Sequence, residues 1–363
     1  MMYIVAPVTL HGPMTISVAE RAELRSAVRE LLSRQATDGS DPAIWQKLAA
    51  QGVAGLLVDP AYGGVGLGAQ EVEAVAEEIG AALLDAPFLA SAVLTVALVT
   101  AAGSEQDHRR LLPGLADGSV IGTVALTGAA GTWSPGGVAV RADDDTLRGT
   151  AHYVLHGQVA DVLLVAARVG HEIGIFDVAP DAPGLQRMAA TVFDPSVPLS
   201  TFTFDGVPAR RIGTAGWDAV QHALDLAVIA LAGEQAGGAR RIFEMTVDYL
   251  KTRIQFGRPI GSFQALKHMA ADLLLEVESA TSAAQHAAAR FGSEDAEAAV
   301  ALAGFTCAQA YHTTAMQAIQ MHGGIGFTWE HPAHRYLRRA RTGMQLFGSP
   351  AQFRERYLVA KGG

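Results

Sequence analysis

Three textures follow one another along this chain, and their order restricts the fold more than any single motif does. From Ser17 to about residue 118 apolar residues recur at three- and four-residue spacing. From about Ser119 to residue 214 the period drops to two, β-branched residues take over, and turn clusters such as Gly136-Gly137, Asp143-Asp144-Asp145 and Asp205-Gly206 interrupt the chain. From Ala215 onward helical spacing returns over longer runs. Strands that follow one another with no helix between them pair mostly antiparallel. The chain therefore reads as α+β: an extension over 1–16, a helical domain over 17–118, a middle antiparallel β barrel or sandwich over 119–214, and a C-terminal four-helix bundle over 215–363.

Local signals sharpen this outline. Ser17 and Glu20 have capping-box spacing, and Leu24, Ala27, Val28, Leu31 and Leu32 form one stripe, which predicts a helix from Ser17 to about Gln35. Asp41-Pro42 starts a second helix that Gly52 closes, and helical patterns resume over 69–84 and 88–112. Strands are expected over 120–126, 138–141, 151–155, 162–167, 173–178 and 201–204, and long helices over 219–252, 263–289, 294–322 and 333–346. The glycine-rich run from Pro60 to Gly68 has neither G-x-G-x-x-G nor a Walker lysine, and no parallel-strand unit follows it, so it is not read as a nucleotide loop.

Composition narrows the function classes. Half of the residues are hydrophobic and 17% charged, as in a compact globular protein, and the net charge of −9 supplies no basic field for nucleic acid. The single cysteine, Cys307, lies in an apolar helical run and reads as a buried structural thiol in a reducing compartment. The most apolar run, Ala90 to Gly103, is shorter than the roughly 20 residues of a membrane span. The first residues lack the basic flank and apolar centre of a signal peptide, so a cytoplasmic location is expected.

The segment Lys251 to Met269 concentrates unusual chemistry between two helical patterns. Gly257 and Pro259 are expected to end the first helix, and Gly261-Ser262 to cap the next. The turn then holds a cation (Arg253), a ring (Phe256), backbone donors (Gly257, Gly261) and an amide (Gln264), a set that suits a ligand bearing both phosphate and a ring. A plain helix hairpin with a surface arginine explains the same residues, and the residues alone leave both readings open.

The three-part order, RIQFGRPIGSFQ, and QMHGGIGFTWEHPAHRYLRRA about sixty residues later together resemble the acyl-CoA dehydrogenase family over Ser17 to the end. The resemblance implies FAD bound between subunits, an acyl-CoA substrate, removal of hydrogen from the α and β carbons of its thioester, and a dimer or tetramer. It implies that Arg253, Gln255, Phe256 and Gly257 meet the pyrophosphate and adenosine side of FAD together with Gln264. By the same resemblance Gln320, Gly323 and Gly324 approach the ADP portion of a flavin held mainly by a neighbouring subunit. In the β unit it points to Thr127 and to Tyr153, which stands where the family places a Trp against the isoalloxazine. The family's following Thr is Leu155 here, and its C-V-T-E-P-like loop is Val124-Ala125-Leu126-Thr127-Gly128.

The catalytic residue is left unassigned. Abstraction of an α proton needs a carboxylate within hydrogen-bond reach, and the two positions that supply it in the family are Phe347 and Ala227 in this chain. The nearest carboxylates on the same helix are Asp225 and Glu234. Glu234 is either a desolvated base with a raised pKa or a structural carboxylate bonded to an arginine or an amide. His322, His331 and His334 lack convincing metal-ligand spacing, and Arg335, Arg338, Arg339 and Arg341 either attract a CoA phosphate or form a solvated face. Three functional readings follow: a working acyl-CoA dehydrogenase; a base-lacking subunit that supports FAD in a heteromeric member of the family; or a flavin oxidase or monooxygenase on the same fold.

Overall fold

The computed structural model describes Met14, residues 16–33 and residues 43–362. Helix α1 (Val18–Ser33) starts where its capping box dictates. The Glu20 amide donates to the Ser17 hydroxyl at 3.2 Å, and the Ser17 amide donates to the Glu20 carboxylate at 2.8 Å. The apolar stripe is narrower than expected: Ala27 is exposed, and only Val28 and Leu32 are buried. Charge does the rest of the docking, because Arg21, Arg25 and Arg29, one turn apart, reach Glu71, Glu73, Glu77 and Glu78 on the buried face of α3 (Ala69–Ala82). Burial pushes the Glu73 carboxyl up to about 7. The expected helix start at Asp41-Pro42 lies outside the described residues; α2 (Ile44–Ala50) is followed by Gly52 at φ 81°, as a glycine helix stop requires.

The run that begins at Phe88 is three elements rather than one helix. A π-helical stretch, Phe88–Thr95, leads into α4 (Val96–Ala102), and α5 (Glu105–Ala116) begins afresh after Gly103 with a capping box between Ser104 and Asp107. The chain then enters the sheet through β1 (Gly122–Ala125), β2 (Arg141–Asp143), β3 (Thr146–Leu155) and β4 (Val162–Val169). It continues through β5 (Glu172–Val178), β6 (Leu185–Ala189), β7 (Leu199–Pro208) and β8 (Arg210–Arg211).

These strands form one mixed sheet in the order β6-β7-β3-β2-β4-β5-β8, with β1 beside β4. Most neighbours pair antiparallel, as expected; the exception is β4, which pairs parallel with both β1 and β2. The reason is visible in β4 itself. Val162, Leu164 and Ala166 face the helical core, while Leu163, Val165 and Ala167 face a second apolar core on the other side of the sheet. A strand buried on both faces carries a continuous apolar run and tolerates parallel neighbours. Strand β6 was not foreseen; it is an exposed edge without apolar alternation.

The C-terminal unit comprises α6 (Trp217–Thr252), α7 (Gln264–Arg290), α8 (Ala296–His322), α9 (Ala333–Gly343) and α10 (Pro350–Ala360). The expected four-helix bundle thus gains a fifth described helix, α10, started by a Ser349–Gln352 capping box and a Pro at its first position. Helix α6 lies against α3 almost backbone to backbone. A Cβ on Gly237 would sit 1.8 Å from the Glu77 carbonyl oxygen, and one on Gly80 1.9 Å from that of Glu234. Only glycine admits this crossing. Cys307 is buried on α8 with its thiol 3.2 Å from the Ala280 carbonyl oxygen, and burial drives its pKa far up, as a structural thiol requires. No helix among the described residues is long and apolar enough to cross a membrane.

Candidate functional site

The expected site residues fall on two separate surfaces. The first is the end of the bundle where α6 and α8 terminate. Helix α6 stops at Thr252, well before Gly257, because Arg253 turns extended at φ −71°, ψ 123°. Two short strands follow, β9 (Ile254–Gln255) and β10 (Arg258–Pro259), paired in register Gln255↔Arg258. Their two-residue turn, Phe256-Gly257, has φ 53° and 73°, the signature of a hairpin turn that favours Asn-Gly. The expected cap also moves: Phe263 occupies the N-cap of α7, while the Ser262 hydroxyl donates to the Pro259 carbonyl oxygen at 2.7 Å and closes the preceding turn.

This hairpin stands in solvent. Arg253, Gln255, Gly257 and Gln264 are exposed, and Phe256 is 91% exposed. Beside it, Gln320 is exposed on the last turn of α8, and Gly323 at φ 62° and Gly324 have no chain atom within 4 Å of where a Cβ would stand. The two segments are joined by Tyr249, whose ring stacks on His322 at 4.5 Å and whose hydroxyl lies 3.4 Å from the His322 carbonyl oxygen. The His322 Nδ1 lies 2.7 Å from the Ala318 carbonyl oxygen, so that nitrogen carries the proton, and its buried Nε2 has no partner. Burial lowers the pKa of His322, and burial together with His322 and His334 lowers that of His331. Among the described residues, no group of three His, Cys, Asp or Glu side chains is placed to hold a metal ion.

The second surface is a cleft of about 540 Å3 between the sheet and the end of α9, lined by Gly131, Trp133, Tyr153, Phe193, Arg341 and Leu346. Tyr153 presents its ring here at 40% exposure from a left-handed backbone at φ 58°, and its hydroxyl donates to the Ala129 carbonyl oxygen at 3.0 Å. Thr127 brings no free hydroxyl: it is 1% exposed and donates to the Thr132 carbonyl oxygen at 2.9 Å. Leu155 is buried. Cleft and hairpin share no residue, so within one chain the structure does not bring Tyr153 and Thr127 together with Arg253, Gln264 and Gln320.

Both positions at which a base was sought are filled by apolar side chains. Ala227 is 0% exposed on α6. Phe347 is 6% exposed, adopts φ 62°, and meets the Trp133 indole edge-on at 5.2 Å. The candidate carboxylates nearby are engaged. Arg356 grips Asp225 with two bonds of 2.7 and 2.9 Å. Glu234 is ion-paired with Arg339, as a structural carboxylate would be.

Arg339 itself corrects the reading of a basic helical face. It is 5% exposed and donates to Asp194 at 3.0 Å, to the Leu84 carbonyl oxygen at 2.9 Å and to the Ser196 carbonyl oxygen at 3.0 Å, besides its contact with Glu234. One guanidinium thus ties α6, α9, the chain beyond α3 and the segment before β7. Its neighbour Arg338 donates to the Phe193 carbonyl oxygen at 2.6 Å and lies over the rings of Phe193 and Trp329. Sequence reasoning missed Trp133, Phe193 and the Arg339 network; nothing in the local pattern around Trp133 or Phe193 marks them.

Comparison with known proteins agrees with this architecture. Residues 19–119 match the acyl-CoA dehydrogenase N-terminal domain and residues 214–356 the acyl-CoA dehydrogenase C-terminal domain. The chain is 32% identical to acyl-CoA dehydrogenase IpdE2 of Mycolicibacterium smegmatis, covering 92% of this chain and 96% of that one. The solved ChsE4-ChsE5 complex from Mycobacterium tuberculosis superposes with a TM-score of 0.87 at 29% identity, over 96% of this chain and 98% of that one. The Tcur3481-Tcur3483 steroid ACAD superposes with a TM-score of 0.84 at 31% identity, over 95% and 98%. The chain belongs to the acyl-CoA dehydrogenase family, FAD-dependent oxidoreductases that act on the CH–CH bond of acyl-CoA thioesters.

Proposed function

We propose that this chain is the base-lacking member of a mixed oligomer, in which it supports FAD seated mainly in a second, catalytically complete chain of the same family. What supports this reading is that Phe347 and Ala227, which the resemblance sets at the two positions where the family keeps its carboxylate, are both apolar and buried. A stand-alone dehydrogenase would need another base, and Glu234 and Asp225 are both committed to arginines. ChsE4-ChsE5 and Tcur3481-Tcur3483, two of the structures this chain resembles, are themselves named as pairs of chains.

The residues present fit FAD on the hairpin side. The Arg253 guanidinium, exposed and without an ion-pair partner in the described chain, suits a pyrophosphate, and the exposed Phe256 ring offers a face for the adenosine. Gln255, Gly257, Gln264 and Gln320 add polar atoms, and the open space at Gly323 and Gly324 admits close backbone approach by the ADP portion. On the cleft side Tyr153 retains a ring for the isoalloxazine, while Thr127 contributes backbone only. When bound, FAD supplies the two-electron acceptor for α,β-dehydrogenation of an acyl-CoA; this chain's own task is to hold the phosphate and adenosine end. We place the assembly in the cytoplasm, with the divisions between its three units at 118/119 and 214/215.

The test is turnover with an acyl-CoA and an artificial electron acceptor, measured for this chain alone and after co-expression with a family chain that retains its Glu. Activity confined to the mixture supports the reading. Brisk turnover by the pure chain, abolished by Glu234→Gln with flavin retained, would overturn it and make Glu234 the base.

A further inference from the structure

Strand β3 departs from a regular ladder close to the cleft, and the departure aims a ring. Its register with β7 shifts between Ala151 and Val154, and within that irregularity Tyr153 adopts φ 58°. A bulge turns a side chain out of the normal alternation, and a tyrosine in the left-handed region is held there by its surroundings. The ring so placed lines the 540 Å3 cleft between the sheet and the end of α9. Gly131, itself at φ 63°, lies so near the ring that a Cβ there would sit 3.4 Å from it. Trp133 and Phe193 add two further rings to the lining.

The chain's own bonds hold these walls in place, as a preformed site requires. Arg168 donates to the carbonyl oxygens of Pro135 at 2.7 Å and Val138 at 2.9 Å, which pins the loop that carries Gly131 and Trp133. Arg338 donates to the Phe193 carbonyl oxygen at 2.6 Å, and the Tyr153 hydroxyl to that of Ala129 at 3.0 Å. Charge in the lining has one sign. Arg341, in the last turn of α9, is exposed and makes no ion pair or hydrogen bond among the described residues. Its charge is felt at His312 of α8, whose pKa burial and Arg341 lower. Asp194, next in the chain to Phe193, is buried and bonded to Arg339 at 3.0 Å. Among the described residues no carboxylate, histidine, lysine or cysteine lines the cleft.

We propose that the cleft is a ligand site of this chain's own, for a flat, ring-bearing molecule that carries one carboxylate or phosphate group. The three rings match the body of such a molecule, and the planar fork of Arg341 matches its anionic group. The cleft's volume falls within the roughly 300–1,000 Å3 of small-molecule sites. With no carboxylate or imidazole in the lining to move a proton, the site holds its ligand without transforming it. The inference rests on the partner-subunit reading: FAD seated mainly in the second chain leaves this cleft to another flat molecule, which Tyr153 serves as it would serve an isoalloxazine.

The probes are 1-pyrenebutyrate and its uncharged analogue 1-pyrenebutanol, titrated by pyrene fluorescence into the full chain co-purified with a catalytically complete family partner. The acid should bind at least about tenfold tighter than the alcohol, at one Arg341-dependent site per pair of unlike chains, without releasing flavin. Arg341→Gln in this chain, at an exposed position, should weaken the acid by about tenfold and leave the alcohol and the flavin count unchanged. Tyr153→Ala should weaken both probes. Equal affinity for acid and alcohol in the wild type overturns the proposal. So does an Arg341→Gln variant that binds the acid as tightly as the wild type, or a Tyr153→Ala variant that weakens neither probe. Release of flavin by the acid overturns it as well, because the cleft then belongs to the cofactor. Flavin counted on the same samples separates the two ideas: one FAD per unlike pair without Arg341-dependent binding sinks the ligand site and spares the subunit reading, whereas two FAD per pair sink both.

Discussion

The two surfaces of this chain differ in what they leave unfinished. At the bundle end a phenylalanine stands 91% exposed in a left-handed turn, an arginine has no ion-pair partner among the described residues, and two glycines face open space. In the interior the side chains complete one another: Trp133 meets Phe347, Arg339 is shared by Glu234, Asp194 and two carbonyl oxygens, and Arg356 closes on Asp225. Groups left unsatisfied in solvent are poor contributors to a chain's own stability and good contributors to contacts with something else. On the proposed reading, the contrast separates a surface retained for a ligand and a partner from an interior retained for the fold.

The largest effect should come from the interior. Arg339→Met leaves the buried Asp194 and the part-buried Glu234 without their cation, and loss of one partner from a buried group costs about 3–5 kcal/mol. Denaturant unfolding should show this as a lower midpoint; a loss under about 1 kcal/mol would mean that the network is peripheral. The next effect lies at the bundle end. Arg253→Ala should leave unfolding unchanged, yet weaken FAD retention in the assembled complex by about 2 kcal/mol, because a charge-assisted pair is lost. Retention equal to wild type in a normally assembled variant would remove Arg253 from the site.

The same end should respond to pH. His322 and His331 titrate below their ordinary value of 6.5 in the folded chain, while the unfolded chain takes up those protons at the ordinary value. Their contribution is therefore full above about pH 6.5 and is lost as the pH falls below it. Hydrogen exchange at Gly323–Phe327, corrected for its intrinsic pH dependence, should accelerate on acidification while exchange in β4 does not, and His322→Gln should blunt the change. Equal acceleration in both places would erase the distinction between the surfaces. The smallest effect is the most diagnostic. Phe256→Asn places a residue favoured in this turn type at φ 53°, so stability should rise by a few tenths of a kcal/mol while assembly weakens. A variant less stable but equally well assembled would show that the ring serves its own chain.

Much of this architecture is legible in the sequence because its signals are local. The Ser17–Glu20 capping box, the switch of period near Ser119 and the RIQFG and QMHGGIGF segments each act within a few neighbouring residues. The Ser349-Pro350 start of α10 is equally local and was overlooked. What escaped depends on contacts between distant residues. Arg339 reads as one more arginine in a basic run until Asp194 and Glu234 are seen to converge on it. Trp133 and Phe347 are separated by most of the chain, and neither position signals that the two rings meet. The parallel pairing of β4 follows from burial on both faces, and its apolar run alone fits an antiparallel sandwich equally well. The proposed site is therefore legible where the chain is exposed, and the contacts that escape are those of the closed interior.

The central claim is that this chain supports a flavin seated mainly in a second chain of the same family. Flavin stoichiometry tests it most directly: absorbance and amino-acid analysis of the chain expressed alone, and of the complex formed by co-expression with a catalytically complete family member. The account predicts little flavin in the lone chain and about one FAD per pair of unlike chains in the complex. A stable yellow homotetramer of this chain carrying one FAD in every subunit would contradict it.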